Sequence, residues 1–204
     1  MAHSVDDTRT GHRGNRHGRS EQARQSVLHA ADGLLVERGF AQLTIEGIAA
    51  RAGVAKQTIY RWWSSKTDVL MDAFVEDAAE DLQPPDTGDL DQDLRVHLRR
   101  LAGFLTGSDA GAVFRALAGQ AQHDADLARR LRAEHLSHQR ARDSLPLRRA
   151  LERGELPGDF DIDLAVDQLV GPIYYRVLVT GQPVPASFTD ALVDAVLAPL
   201  APSH

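Results

Sequence analysis

The sequence predicts an all-α protein of about nine to ten helices, a small N-terminal three-helix bundle followed by a larger helical body. Three observations carry that prediction. Apolar residues recur at intervals of three and four along most of the chain, the period of one face of a helix. Glycine and proline clusters such as QPPDTGD punctuate these runs at helix-length intervals. Hydroxyl and carboxylate side chains stand where several of the helices should begin.

Composition sets the limits. The chain has 204 residues, 43% of them hydrophobic, enough for one large domain or a small one and a larger one. Its lack of cysteine removes disulfide frameworks, thiol nucleophiles and cysteine metal sites, and fits a reducing compartment. No run of eighteen apolar residues occurs and no apolar segment follows the charged N-terminus, so the reading is a cytoplasmic protein with no membrane partner. The net charge of -6 hides an asymmetry. Residues 1–66 hold ten Lys and Arg against six Asp and Glu, whereas residues 67–204 hold thirteen against twenty-three. A basic head on an acidic body suits a head that faces a polyanion, although uneven surface solvation gives the same count.

Residues 1–19 mix Gly, Arg and His without apolar periodicity and are expected to be disordered when free. From Ser20 a helix places Val27, Leu28, Ala31, Leu34 and Leu35 on one face and stops at Gly39. Thr44 caps a second, short helix in which Ile45, Ile48, Ala49 and Ala52 point one way, and Gly53 ends it. The third begins at Val54 and carries both tryptophans and the only two lysines in or just after it. At about 100° per residue, Ala55 and Trp63 fall near Ile59, while Gln57 and Arg61 fall on the opposite side with Lys56 and Tyr60 flanking. One face is core and the other is polar and cationic. Trp62 lies at the edge between them.

Two short helices joined by a tight turn, the second with Lys, Gln, Thr, Tyr and Arg on its free face, form the helix-turn-helix pattern. The chemistry suits DNA: a helix fits the major groove, Gln57 and Arg61 fork onto base edges, and Lys56, Thr58 and Tyr60 reach bases or phosphates. Ser65 and Asp68 have capping-box spacing, so a further helix should start near Lys66, whose ammonium and positive helix end suit a phosphate. The DNA-facing set expected is thus Arg24, Thr44, Lys56, Gln57, Thr58, Tyr60, Arg61, Trp62 and Lys66. Residues 20–66 are expected to form the DNA-binding unit. Arg13, Arg16 and Arg19 in the tail are candidates for a duplex backbone or minor groove, against the simpler reading of a loose solvated tail.

The run from Arg24 through AADGLLVERGF and LTIEGIAARAGVAKQTIYRWWSSKTDVLMDAF resembles the DNA-binding domain of the tetracycline-repressor (TetR) family. The stretch LERGELPGDFDIDLAVDQLVGPIYYRVLVTGQPV is similar to the family's C-terminal domains. The resemblance implies an all-helical homodimer on a pseudo-palindromic double-stranded DNA operator, usually a repressor released by a small-molecule effector. It also implies that residues 67–204 are the ligand-binding and dimerisation domain. The alternative is a DNA-binding factor with no small-molecule ligand that acts through a protein partner. The chain departs from the family at Ala55, where a capping serine or threonine is common, and in its longer N-terminal tail. No nucleophile motif or phosphate loop points to an enzyme, and no catalytic residue, cofactor or metal is expected.

In the body, the helix from Lys66 to about Leu82 is a candidate lever, packing Leu70, Phe74 and Val75 on the rest. Later helices are expected over residues 90–105, 110–120, 125–144, 145–153, 163–180 and 187–200. The last two are apolar on more than one face, so Val166, Leu169, Val170, Ile173, Val177, Phe188, Leu192 and Val196 are expected in a four-helix dimer interface. Pro172 should kink the first of them. Phe74, Phe104, Phe114, Arg115, His123, Tyr174, Tyr175 and Arg176 are candidate ligand-lining groups. His135 and His138 with Glu134 have metal-like spacing, but an ordinary solvated helix face is the better reading.

Overall fold

The computed structural model describes residues 16–198, and among them every regular element is helical. The head comprises α1 (Arg16–Gln42), α2 (Ile45–Ala52) and α3 (Lys56–Tyr60), and α4 (Lys66–Asp81) leads into the body. The body adds α5 (Leu90–Gly107), α6 (Asp109–Ala121), α7 (Ala125–Arg130), α8 (Ser137–Glu152), α9 (Ile162–Tyr175) and α10 (Ala186–Leu197). Wider π-helical turns follow α7 at Leu131–Leu136 and α9 at Arg176–Thr180. The all-helical expectation holds.

Most helix ends follow the sequence signals. Thr44 caps α2 by accepting from the Gly47 N–H at 3.1 Å, and Gly53 closes it at φ 68°. Ser65 caps α4 by accepting from the Asp68 N–H at 3.2 Å. Ala55, at the start of α3, supplies no side-chain cap.

Three expectations change. The first helix begins no later than Arg16, the first described residue, so Arg16 and Arg19 belong to α1; Arg13 lies outside the described residues. The expected break at Ser144 is absent: α8 runs through Pro146, which is buried beside Leu147 and Ala150, and that packing offsets the one backbone bond a proline deletes. The departure from α geometry sits earlier, at Leu131–Leu136, where His135 is buried between aromatic rings. In α9 the helix continues past Pro172, and its geometry widens only after Tyr175.

The apolar faces of these helices meet in one continuous core from Val27 in α1 to Val196 in α10. α4 supplies Val69, Leu70, Met71, Ala73 and Phe74 to it and packs on both α1 and α6. Head and body therefore share a hydrophobic interior, and α6 touches α1 directly. Ion pairs tie the outside: Arg95 and Arg99 of α5 hold Asp190 and Asp194 of α10, and Arg140 of α8 holds Asp163 and Asp167 of α9. At the α5–α6 corner, a Cβ on Gly111 would stand 2.3 Å from the Phe104 carbonyl oxygen and 2.7 Å from that of Leu105. Only glycine fits there.

Candidate nucleic-acid interface and effector cleft

α3 is only five residues long and uncapped, too short to hold itself together. Its support comes from behind. Ile59 is fully buried, and its carbonyl accepts from both the Trp62 and Trp63 N–H groups at 2.9 Å. Trp63 is buried, and its indole Nε1 donates to Asp72 Oδ2 of α4 at 2.8 Å. The half-buried Trp62 ring meets the Trp63 ring edge-on, centroids 5.4 Å apart.

The opposite side of the helix is free. Lys56, Gln57, Tyr60 and Arg61 are exposed, Tyr60 by 54%, a high value for a large ring and one that leaves it available to a partner. Arg61 lies over the Trp62 ring at 5.5 Å, which pre-sets its direction without consuming its donors. Thr58 is half-buried beside them. Lys56 forms an exposed ion pair with Glu46 of α2 at 2.8 Å, and each partner pulls the other toward its charged form. An exposed pair of this kind is weak and exchangeable for a phosphate. Thr44 accepts with its oxygen and keeps its hydroxyl proton to donate.

Two residues of the expected DNA-facing set are spent on the fold. Lys66 Nζ donates to the carbonyls of Phe40 and Leu43 at 2.7 and 2.9 Å and lies 4.2 Å from the Phe40 ring centroid. The chain turns there after Gly39, whose φ of 75° interrupts α1, and the ammonium satisfies the carbonyls left over. Burial lowers the Lys66 pKa, and the phosphate role expected of it gives way to a structural one. Arg24 joins Glu76 of α4 at 2.9 Å and Glu21 at 3.2 Å, so it fastens α1 to α4.

A junction that sequence reasoning missed lies beside this surface. Arg130 of α7 donates to Asp68, whose other carboxylate oxygen accepts from the Ser64 and Ser65 hydroxyls at 2.5 and 2.9 Å. Although burial opposes it, these bonds hold the Asp68 carboxyl down at about 2. Arg130, Asp68, Asp72 and residues Tyr60 to Ser64 enclose a polar cleft of about 470 Å³ behind α3.

The expected ligand-lining residues separate. Phe74, Phe104 and Phe114 are buried core rings, with Phe74 at 6.0 Å from Phe104 and 5.3 Å from Phe114. The His135 ring packs at a tilt of 53° on Phe74, centroids 4.1 Å apart, and burial drives its pKa down to about 3, so it is neutral. His138 is exposed, and no cluster of three metal-ligating side chains occurs among the described residues. Arg115 donates to the Leu105 carbonyl, His123 is exposed between α6 and α7, and Tyr175 points outward at 58% exposure. Arg176 lies 3.5 Å over the Phe188 ring and donates to the Pro183 carbonyl at 2.7 Å.

Of that set, Phe114 and Tyr174 line a cleft. A cleft of about 430 Å³ lies between them and Ala118, Ala121, Leu131 and Leu136, with Gln122, Arg132 and Leu178 also on its wall. A second, of about 340 Å³, shares Leu136 and Tyr174 and adds Gln139, Arg140 and Asp143. Near it the buried Asp143 accepts from Gln139 at 2.7 Å and pairs with His97 Nε2 at 2.8 Å.

The expected dimer residues are also redistributed. Val166, Leu169, Val170, Ile173 and Val196 are buried inside the protomer, and Val177, Phe188 and Leu192 are half-buried against the same core. The reason is register: α9 uses that face on α8 and α10. Its outward row is instead Leu164, Gly171, Tyr175, Leu178 and Val179, of which all but the glycine are large exposed hydrophobic residues.

The short supported helix with a free polar face, set on an all-helical body, defines a helix-turn-helix transcriptional regulator that binds DNA. Residues 27–73 match the family of bacterial regulatory proteins called tetR, and residues 84–196 match the tetracyclin repressor-like C-terminal domain. The chain belongs to the TetR family. It is 41% identical to the uncharacterised HTH-type transcriptional regulator YdeS of Bacillus subtilis over 175 residues, 86% of this chain and 88% of that one. It is 32% identical to a DNA-binding transcriptional repressor TetR of Mycobacteroides abscessus, over 88% of this chain and 94% of the relative. The solved TetR family regulator SCO0332 superposes with a TM-score of 0.75 at 39% identity, covering 89% of this chain and all of that one. FadR of Bacillus subtilis, solved in complex with stearoyl-CoA, shares the fold at 24% identity and a TM-score of 0.62, over 88% of this chain and 99% of that one. These relatives are regulators and not enzymes.

Proposed function

We propose that the protein is a repressor that binds a pseudo-palindromic operator as a homodimer in the cytoplasm and is released by a small-molecule effector. The observation that carries this reading is the free face of α3: Lys56, Gln57, Tyr60 and Arg61 stand outward together while Ile59 and Trp63 are locked behind them. Gln57 and Arg61 are the base-reading pair, and Lys56, Thr44 and Tyr60 take phosphates or flanking edges. Two copies are needed to read two half-sites one helical turn apart. The outward row Leu164, Tyr175, Leu178 and Val179 is the surface a second copy would cover.

The cleft beside Phe114 and Tyr174 supports the effector part. It is apolar with few polar groups, the usual make-up of a small-molecule site. That a TetR-fold protein was solved with stearoyl-CoA is consistent with a body that holds an apolar ligand. Selection of bound fragments from a random duplex pool tests the DNA reading directly. Recovery of one inverted repeat is the expected result, and a pool that stays unenriched at low salt removes the proposal.

A further inference from the structure

The cleft between α6, α7 and α9 has one apolar floor and two unsatisfied polar features. Its floor and walls are Phe114, Ala118, Ala121, Leu131 and Leu136, with the Phe114 and Tyr174 rings 5.7 Å apart and tilted by 57°. Rings in contact at that angle form one continuous aromatic wall against which a flat apolar body can pack. The Tyr174 hydroxyl is buried and has no hydrogen-bond partner among the described residues. A buried hydroxyl left unpaired costs stability, and Tyr174 borders this cleft, so a ligand oxygen that reached the hydroxyl would gain a hydrogen bond there. Burial also raises the pKa of this hydroxyl and keeps it a donor.

Arg132 is the second feature. It is exposed on the cleft wall, and no ion-pair partner for it occurs among the described residues. Its neighbours in sequence behave otherwise: Arg129 pairs with Asp126, and Arg130 with Asp68 and Glu134. An unpaired guanidinium beside an apolar cleft is matched by a carboxylate, which it holds by two parallel hydrogen bonds.

From these features we infer that the cleft takes an apolar, ring-bearing carboxylic acid with a further oxygen: rings against Phe114, Leu131 and Leu136, carboxylate on Arg132, and the second oxygen accepting from Tyr174. The inference rests on the reading that the body carries an effector site, and it names the chemical class. It also places the ligand against the segment that reaches the head. Ala128, Leu131 and Arg132 on the cleft wall flank Arg130, which bonds Asp68 at the start of α4.

The test is calorimetric titration of the full-length protein with 6-hydroxy-2-naphthoate, 2-naphthoate and the neutral 2-naphthylmethanol, followed by operator binding with each. The hydroxy acid should bind saturably and the neutral alcohol about tenfold or more weakly. Arg132→Ala, at an exposed position that leaves the fold intact, should erase the preference for the acids. Tyr174→Phe should bring the hydroxy acid to the affinity of 2-naphthoate. No saturable binding of either acid overturns the inference, as does an alcohol that binds as well as the acids with Arg132→Ala neutral. Arg132-dependent binding without operator release leaves the ligand class standing and removes the release mechanism instead.

Discussion

Arg130 of α7 reaches from the body to the Asp68 carboxylate in the first turn of α4, five residues after Trp63, whose indole locks the recognition helix. The contact joins the segment that walls the Phe114–Tyr174 cleft to the base of the helix-turn-helix. Unlike the shared apolar core, it is a single directional contact that one substitution removes.

Arg130→Ala and Asp68→Asn should therefore be non-additive. Each variant loses the ion pair, and the double variant should lose little more than the worse single one, a coupling of about 1 kcal/mol by urea denaturation. Strict additivity would mean that the pair does not connect the two units. A shallower loss of stability on acidification should accompany Arg130→Ala. The Asp68 carboxyl is depressed in the fold, so its stabilisation is present above about pH 4 and lost as pH falls toward about 2. Without the guanidinium that contribution shrinks.

Lys66→Met should destabilise the protein by about 1 to 3 kcal/mol, since it strands the carbonyls of Phe40 and Leu43. Thermal melts measure the loss. Operator affinity per folded dimer should fall little, and the slope of affinity against salt should stay as it is. A slope reduced by about 1 would return Lys66 to the phosphate backbone.

Arg61→Ala and Lys56→Ala should differ in kind. The first relaxes the preference at one operator position by roughly 1 to 3 kcal/mol, as expected for loss of a fork onto guanine. The second weakens all sequences alike and lowers the salt slope by about 1. Competition binding with single-base operator variants separates them, and identical profiles would show that α3 does not enter the groove in this register.

Leu164→Asp with Val179→Asp should weaken dimerisation at least about a hundredfold, because both side chains lie on the outward row of α9 and its π-turn. Sedimentation velocity at micromolar concentration reads this out. The buried Val166 and Ile173 are unsuited to the test, since an aspartate there would unfold the protomer.

Asp32 gives a pH prediction of the opposite sign to Asp68. It is buried on α1 with Oδ1 unpaired, and burial, with Asp77 and Asp109 nearby, lifts its pKa to about 7. Below about pH 4 it is neutral folded and unfolded alike. As pH rises from about 4 to 7 the unfolded chain ionises first, so stability falls and the loss is complete only above about 7. Asp32→Asn should flatten that slope and stabilise the protein at pH 8 by about 1 to 3 kcal/mol. An unchanged slope would mean that Asp32 is already charged in the fold.

What the sequence revealed, and what it hid, divides by the range of the interaction. Thr44, Gly53, Ser65 and the 3.6-residue repeat around Ile59 act within a turn or two, so the head could be read off the chain. Lys66 was misplaced because its partners lie 26 and 23 residues earlier, at a turn whose leftover carbonyls have no sequence signature. The α9 face failed similarly: apolar residues on several sides say that much will be covered, not whether α8, α10 or a second copy covers them. The cleft beside Phe114 and Tyr174 was least legible. Its opening accompanies a π-helical turn around a buried histidine, and only Phe114 and Tyr174 announced themselves by size.

Gly111 sets a rule for how such a body can diversify. With two carbonyl oxygens occupying the space a methyl group would need, the angle between α5 and α6 is fixed by the backbone itself and cannot be tuned one side chain at a time. Changes to the proposed ligand cleft must come from replacing wall residues such as Ala118, Ala121 and Leu131 on a frame whose bend stays constant. Redesign should succeed by resculpting the cavity lining and fail whenever it asks that corner to open.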